Sequence, residues 1–159
     1  MAEGEFALVR EHLGAALNKP AQGWAPVGDH ELYSMLADAA AQQRDEAILR
    51  QYAPLAEETA RRYDHKLYQA IAHRAWGVAH RLAGEYPQAE ARLNQALHLF
   101  NSLSTRWQIG RTLFELGELA AAQVNATKAG DHFTHALAEF EEMRAAPDAA
   151  RTRTKLEPI

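Results

Sequence analysis

Residues 64–103 read DHKLYQAIAHRAWGVAHRLAGEYPQAEARLNQALHLFNSL, and residues 104–143 read STRWQIGRTLFELGELAAAQVNATKAGDHFTHALAEFEEM. Set one above the other, they are two copies of one pattern, 40 positions apart. Gly77 recurs as Gly117, Ala89 as Ala129, Ala96-Leu97 as Ala136-Leu137, and Phe100 as Phe140. Trp76 is answered by Leu116, and Leu93 by Phe133. A helical repeat with small residues at fixed offsets builds a stack in which each unit packs on its neighbours. Such stacks characteristically bind other molecules instead of transforming them.

Within the first copy, Leu67, Ile71, Ala75, Val78 and Leu82 recur at helical spacing. Gly84 is placed to end that helix in the left-handed conformation, and Pro87 suits the first turn of the next, where its missing N–H costs nothing. Ala89, Leu93, Ala96, Leu97 and Phe100 continue on the second helix. In the second copy Ser104 reads as the cap, Leu113, Leu116 and Ala120 line one helix, and Asn125 or Thr127 opens its partner. A third unit starts after Pro147, where Arg151-Thr152 echoes Arg111-Thr112 and Leu156 echoes Leu116. It predicts a capping helix over 147–157.

Upstream the signal is weaker. Asp29 is placed to cap a helix marked by Tyr33, Leu36 and Ala40, and Asp45 a second one with Ile48, Tyr52, Leu55, Thr59 and Tyr63 inward. Pro54 falls inside that period and predicts a kink or a break. Leu36, Ala47 and Tyr52 fit the repeat only with a shortened turn. Phe6, Val9, Leu13 and Leu17 mark an amphipathic helix over about 4–18, followed to residue 28 by a loop around Trp24. The chain thus divides into an N-terminal helix and loop, 1–28, and a helical repeat domain, 29–159.

Composition narrows the function. The apolar residues, 47% of the 159, are dominated by Ala and Leu, which favour helix, so the class is all-α. A net charge of −4 argues against direct nucleic-acid binding by bulk electrostatics, and no like-charge run is long enough for membrane anchoring. The absence of cysteine excludes disulfides, thiol catalysis and cysteine zinc sites. The first ten residues lack the features of a signal peptide, and no apolar run approaches the roughly 20 residues that span a bilayer. A cytoplasmic location is the default expectation.

The pairs Trp76-Gly77 and Leu116-Gly117, the small residues Ala89 and Ala129, and the Ala-Leu pairs at 96–97 and 136–137 resemble the tetratricopeptide repeat. The stretch from Ala83 to Ala89 is similar to that family's inter-helix turn. The family's common period is about 34 residues; the 40-residue step here resembles the variety found in bacterial signalling proteins and transcription activators. Val124 stands where the first copy has Gly84. The resemblance implies a right-handed α-α superhelix of about seven to eight helices. It also implies a protein- or peptide-binding regulatory module, not an enzyme, with no cofactor.

In that family the first helices of the units line a concave groove. Carried onto this chain, the lining is Ile71, Arg74, Val78, Arg81 and Leu82, then Arg111, Phe114, Glu118 and Ala122. Three arginines among apolar residues suit an acidic or amphipathic partner segment, because Arg bonds carboxylates in bidentate fashion. Arg81 has Glu85, and Arg111 has Glu115, at the i,i+4 spacing of local ion pairs; Arg74 has no such neighbour and stands out. A small-ligand sensor and a self-associating element, such as a homodimer, remain as alternatives. His132 with His135, and His73 with His80, share helix faces, but no zinc signature accompanies them. No phosphate loop or nucleophile elbow is present.

Overall fold

The computed structural model describes residues 29–157, together with Leu8, Glu11, His12 and Ala15 of the N-terminal segment. Those four are helical; the expected Phe6 stripe and the Trp24 loop lie outside the described residues. The described chain from Asp29 onward forms seven helices and no strand: α1 (Asp29–Gln43), α2 (Glu46–Arg62), α3 (Lys66–Leu82), α4 (Tyr86–Ser102), α5 (Arg106–Ala122), α6 (Ala126–Glu142) and α7 (Ala146–Leu156). From Glu46 on, a helix begins every 20 residues, and α2 to α6 are each 17 residues long.

That regularity comes from the turns. The residues with positive φ fall at the same 20-residue step: Arg44, Asp64, Gly84, Ser104, Val124 and Arg144. At each, two backbone bonds close the helix: in the third turn Gly84 N–H donates to the Arg81 carbonyl and Glu85 N–H to the His80 carbonyl. This is the Schellman arrangement, which satisfies carbonyls that a helix end otherwise leaves bare. The residue after the left-handed one then serves as N-cap of the next helix. Asp45 and Asn125 do so through their side chains, accepting from Ile48 N and Lys128 N at 3.1 Å each. Ser104, expected as a cap, is instead the left-handed residue, and Thr105 takes the cap position.

Consecutive helices pack in hairpins to make an α-solenoid. The odd-numbered helices also touch one another, α1 on α3 and α3 on α5. Long charged side chains bridge the even-numbered row: Arg92 reaches Glu57 from α4 to α2, and Lys128 reaches Glu90 from α6 to α4. The odd row is therefore the inner one. Glycine sets the crossing of each later hairpin. A Cβ built on Gly77 would lie 2.6 Å from Leu93 Cγ, and one on Gly117 2.6 Å from Phe133 Cε1. Leu93 and Phe133 are buried against those glycines, where each removes apolar surface worth about 1.5–3 kcal/mol.

The first hairpin keeps the same register, with no shortened turn. Ala37 stands at the position of Gly77, Leu49 at that of Ala89, and Ala53 at that of Leu93. Small and large residues have changed places, and Ala37, Leu49 and Ala53 share one buried cluster. On α2 the buried face is Leu49, Ala53, Ala56, Thr59 and Ala60, one residue around from the expected face. Tyr63, expected inward, is exposed. Alanines fill the close crossing, while the larger Ile48 and Tyr52 pack at its margin. Helix α2 runs on through Pro54, whose ring lies on an exposed face.

Candidate functional site: a charged inner face

The expected groove residues do come together on α3 and α5, but they are not an open wall. Arg74, Val78 and Phe114 are at most 1% exposed, Arg111 7% and Ile71 9%. Helix α1 covers Arg74 and Val78, whereas Ile71 packs with Ala96 and Phe100 of α4, and Phe114 with Phe133 of α6 and Ala149 of α7. Asp38 of α1 accepts from Arg74 Nη2 on Oδ1 at 2.8 Å and from Arg111 Nη1 on Oδ2 at 2.9 Å. Gln42 adds a bond to the same carboxylate at 3.3 Å. Arg74, which has no partner at the i,i+4 spacing, is thus the most deeply paired cation of the three, through a residue 36 positions away.

The other expected pairs also re-sort across repeats. Arg81 reaches Glu115 of α5 at 3.0 Å, not Glu85. Arg44, at the turn after α1, lies 3.1 Å from Glu118 and 3.6 Å from Glu115. Lys155 of α7 meets Glu118 at 2.9 Å. Arg151 has no ion pair among the described residues; its guanidinium lies 4.3 Å from the Phe114 ring, a cation–π contact. Arg111 lies similarly over Trp107, whose indole N–H donates to Asp148. Glu85 goes to the other side of the molecule, where Arg50 and His80 hold it.

Two features of this cluster decide its chemistry. First, six cationic side chains (Arg44, Arg74, Arg81, Arg111, Arg151 and Lys155) face three carboxylates (Asp38, Glu115 and Glu118). Second, its inner members Arg74, Arg81 and Arg111 are sheltered, so their charges are less screened than surface ones. Burial pushes the Asp38 carboxyl up, but Arg111 and Arg74 outweigh that and hold it well below the usual carboxylate range. Burial, with the charge of Arg111 beside it, pulls the Arg74 guanidinium down to about 10 against the attraction of Asp38. Both groups are ionised at neutral pH. A small cavity of about 10 Å³, room for one water, is lined by Gln42, Arg44, Arg74, Arg111, Glu115 and Arg151 among others.

Asp38, Arg44, Glu115, Arg151 and Lys155 were absent from the sequence-based site. A signal existed for some. Asp38 stands one 40-residue step before Val78 and two before Glu118, and Arg151 one step after Arg111. The groove lining was carried over only from the two clear repeats, so the first hairpin and the last helix contributed no residue to it.

A second polar cluster lies between α2, α3 and α4. Glu57 accepts from the Trp76 indole at 2.8 Å and from Arg92 at 2.7 Å, and Arg92 also donates to His73 Nδ1 at 2.8 Å. Burial and the charge of Arg92 lower the His73 pKa, which keeps the ring neutral and able to accept. Every member is satisfied within the cluster, which marks it as a strut between repeats. Among the described residues no group of three or more His, Asp or Glu is placed to hold a metal, and no helix is long and apolar enough to cross a membrane.

No family model matches the chain, and no curated protein sequence does. Among solved structures it is similar to the crystal structure of BtubC (BKLC) from P. vanneervenii, with a TM-score of 0.67 and 20% identity. The match covers 97% of this chain and 65% of that one, so the chain spans about two thirds of the neighbour's length. At that identity the likeness is one of fold.

Proposed function

We propose that this chain is a protein- or peptide-binding helical-repeat module of the tetratricopeptide type, a regulatory or signalling scaffold of a bacterial cytoplasm. Its inner face would recognise an acidic or amphipathic segment. The observation that carries the reading is the excess of six cationic side chains over three carboxylates on that face, in a chain whose net charge is −4. A local surplus against the overall sign concentrates anions there and steers them in. Arg151 and Lys155, both exposed at the open side of the cluster, are the first groups that an incoming acidic segment meets.

The test is fluorescence anisotropy with short labelled peptides: an alternating Glu/Leu sequence, its Lys/Leu counterpart and a Gly/Ser control. The acidic peptide should bind, and Arg151→Glu with Lys155→Glu should weaken it roughly tenfold or more, as loss of steering and pairing charges does. Equal binding of all three peptides, or indifference to the double charge reversal, would remove the reading.

A further inference from the structure

The arrangement of Asp38 invites a question of order: which side of the ion pair faces the interior. Arg74 is the buried partner, with its side chain 1% exposed, and Arg111 is nearly so at 7%. Asp38 is the outer one, at 22%. The two guanidiniums are held in place from behind. Arg74 lies 5.1 Å from the Phe100 ring and donates to the Gln108 carbonyl at 3.4 Å, and Arg111 lies 4.7 Å from the Trp107 ring. None of those supports comes from α1. The cations therefore belong to the framework of α3 and α5, and the carboxylate that meets them is brought by another element.

The charge balance at this point is incomplete. Two guanidiniums share one carboxylate, and two more, those of Arg44 and Arg151, line the same cavity with Glu115. Arg44 Nη1 is buried there without a hydrogen-bond acceptor, at 3.6 Å from Glu115. The cavity has room for one water, about 10 Å³, and so does not admit a second carboxylate beside Asp38. Any other carboxylate that reaches Arg74 and Arg111 must take the place of the first.

We propose that Arg74 and Arg111 form a receptor for a single side-chain carboxylate of the partner's acidic segment, and that Asp38 is its built-in competitor. This rests on the acidic-segment reading above and adds its subsite and its regulation. Exchange of one carboxylate for another leaves the buried cations paired throughout, so it avoids the large cost of baring them. The affinity of the module is then set by what the partner adds beyond Asp38, namely contacts to Arg151 and to the unsatisfied nitrogen of Arg44. An internal competitor reduces apparent affinity by the fraction of molecules in which it is bound. It selects segments with more than one acidic group and rejects isolated ones.

Two measurements test this. In the first, the melting temperature of Asp38→Ala is compared in sodium acetate and in sodium chloride of equal ionic strength. Acetate should raise it by several degrees and leave the wild-type chain unmoved, because only the variant has a vacant place for a carboxylate. In the second, the labelled Glu/Leu peptide is titrated against the wild-type chain, Asp38→Asn, and Asp38→Asn with Arg111→Gln. Asp38→Asn keeps the side-chain shape and one acceptor oxygen, so it is the variant to use if Asp38→Ala does not fold. Removing the competitor should tighten binding at least about tenfold, and the added Arg111→Gln should abolish that gain. Equal affinity for wild type and Asp38→Asn, with the peptide bound, would overturn the receptor while leaving the acidic-segment reading intact. No peptide binding by any of the three proteins would overturn both.

Discussion

The six turns between helices share one backbone conformation, and five of the residues that adopt it carry a side chain. For an L-residue the left-handed region costs about 1–2 kcal/mol, because Cβ crowds the following carbonyl. The cost is greatest for a β-branched residue, and Val124, at φ 60°, is the case here. Its side chain is 91% exposed, so it recovers nothing by burial. Val124→Gly removes the strain and adds some freedom to the unfolded chain, worth roughly 0.5–1 kcal/mol in the opposite sense. The balance predicts a gain of about 0.5–1 kcal/mol, read as a higher urea midpoint at unchanged slope. A lower midpoint would show that the turn does not hold the strain assigned to it. The Schellman bonds explain why the chain tolerates these residues: the cooperative geometry of two packed helices fixes the turn, and a local preference of a kilocalorie or two gives way.

At the scale of the helix pair, the deciding contact is a glycine against a large side chain. A Cβ on Gly117 would meet Phe133 Cε1, Cδ1 and Cζ at 2.6, 2.7 and 2.9 Å. Phe133 is 3% exposed, so its ring has no empty space to move into. Gly117→Ala should therefore cost about 1–3 kcal/mol by overpacking. Phe133→Ala alone should cost about 3–5 kcal/mol. Together they should cost less than the sum by at least about 1 kcal/mol, since the second change removes what the first strikes. Strict additivity in a denaturant cycle would contradict the crossing described. The chain contains its own precedent, because the first hairpin carries the double-alanine version, Ala37 with Ala53, and fills the gap with Leu49.

Across the whole molecule, one carboxylate ties three helices of the inner row together. Asp38 links α1 to Arg74 on α3 and to Arg111 on α5. Its folded-state pKa is depressed, so the stability it contributes is fully present above the ordinary carboxylate pKa of about 4. That stability is lost as the pH falls below that value. Glu57, held down by Arg92 against the opposing effect of its own burial, adds to the same acid limb. Urea midpoints should thus be flat near neutral pH and drop below about pH 4. Asp38→Asn should be less stable at neutral pH and show a shallower acid limb, the two proteins converging at low pH. Parallel acid limbs in the two proteins would mean that Asp38 titrates normally.

The amino-acid sequence by itself determined the helices, their order and the packing of the two later pairs; in the first pair, where alanines replace the glycine and the large residue, the buried face of α2 lies one residue around from the face its periodicity marks. Gly77 and Gly117 mark close crossings, Gly84 and Pro87 mark a turn, and the 40-residue recurrence marks equivalent hairpins. These are legible because each depends on residues within one or two helical turns, or on the next helix along the chain. The turns at Asp64, Ser104 and Val124 were not, because tertiary packing imposed a conformation that those residues do not prefer. The state of the inner face was decided by the tertiary structure alone. Whether Asp38 meets Arg111, 73 positions away, depends on the small rotation between successive hairpins summed over two repeats. That rotation comes from the volumes packed at every interface along the way. No spacing in the sequence records it, and it turned a groove expected to be open into one already holding a carboxylate of its own.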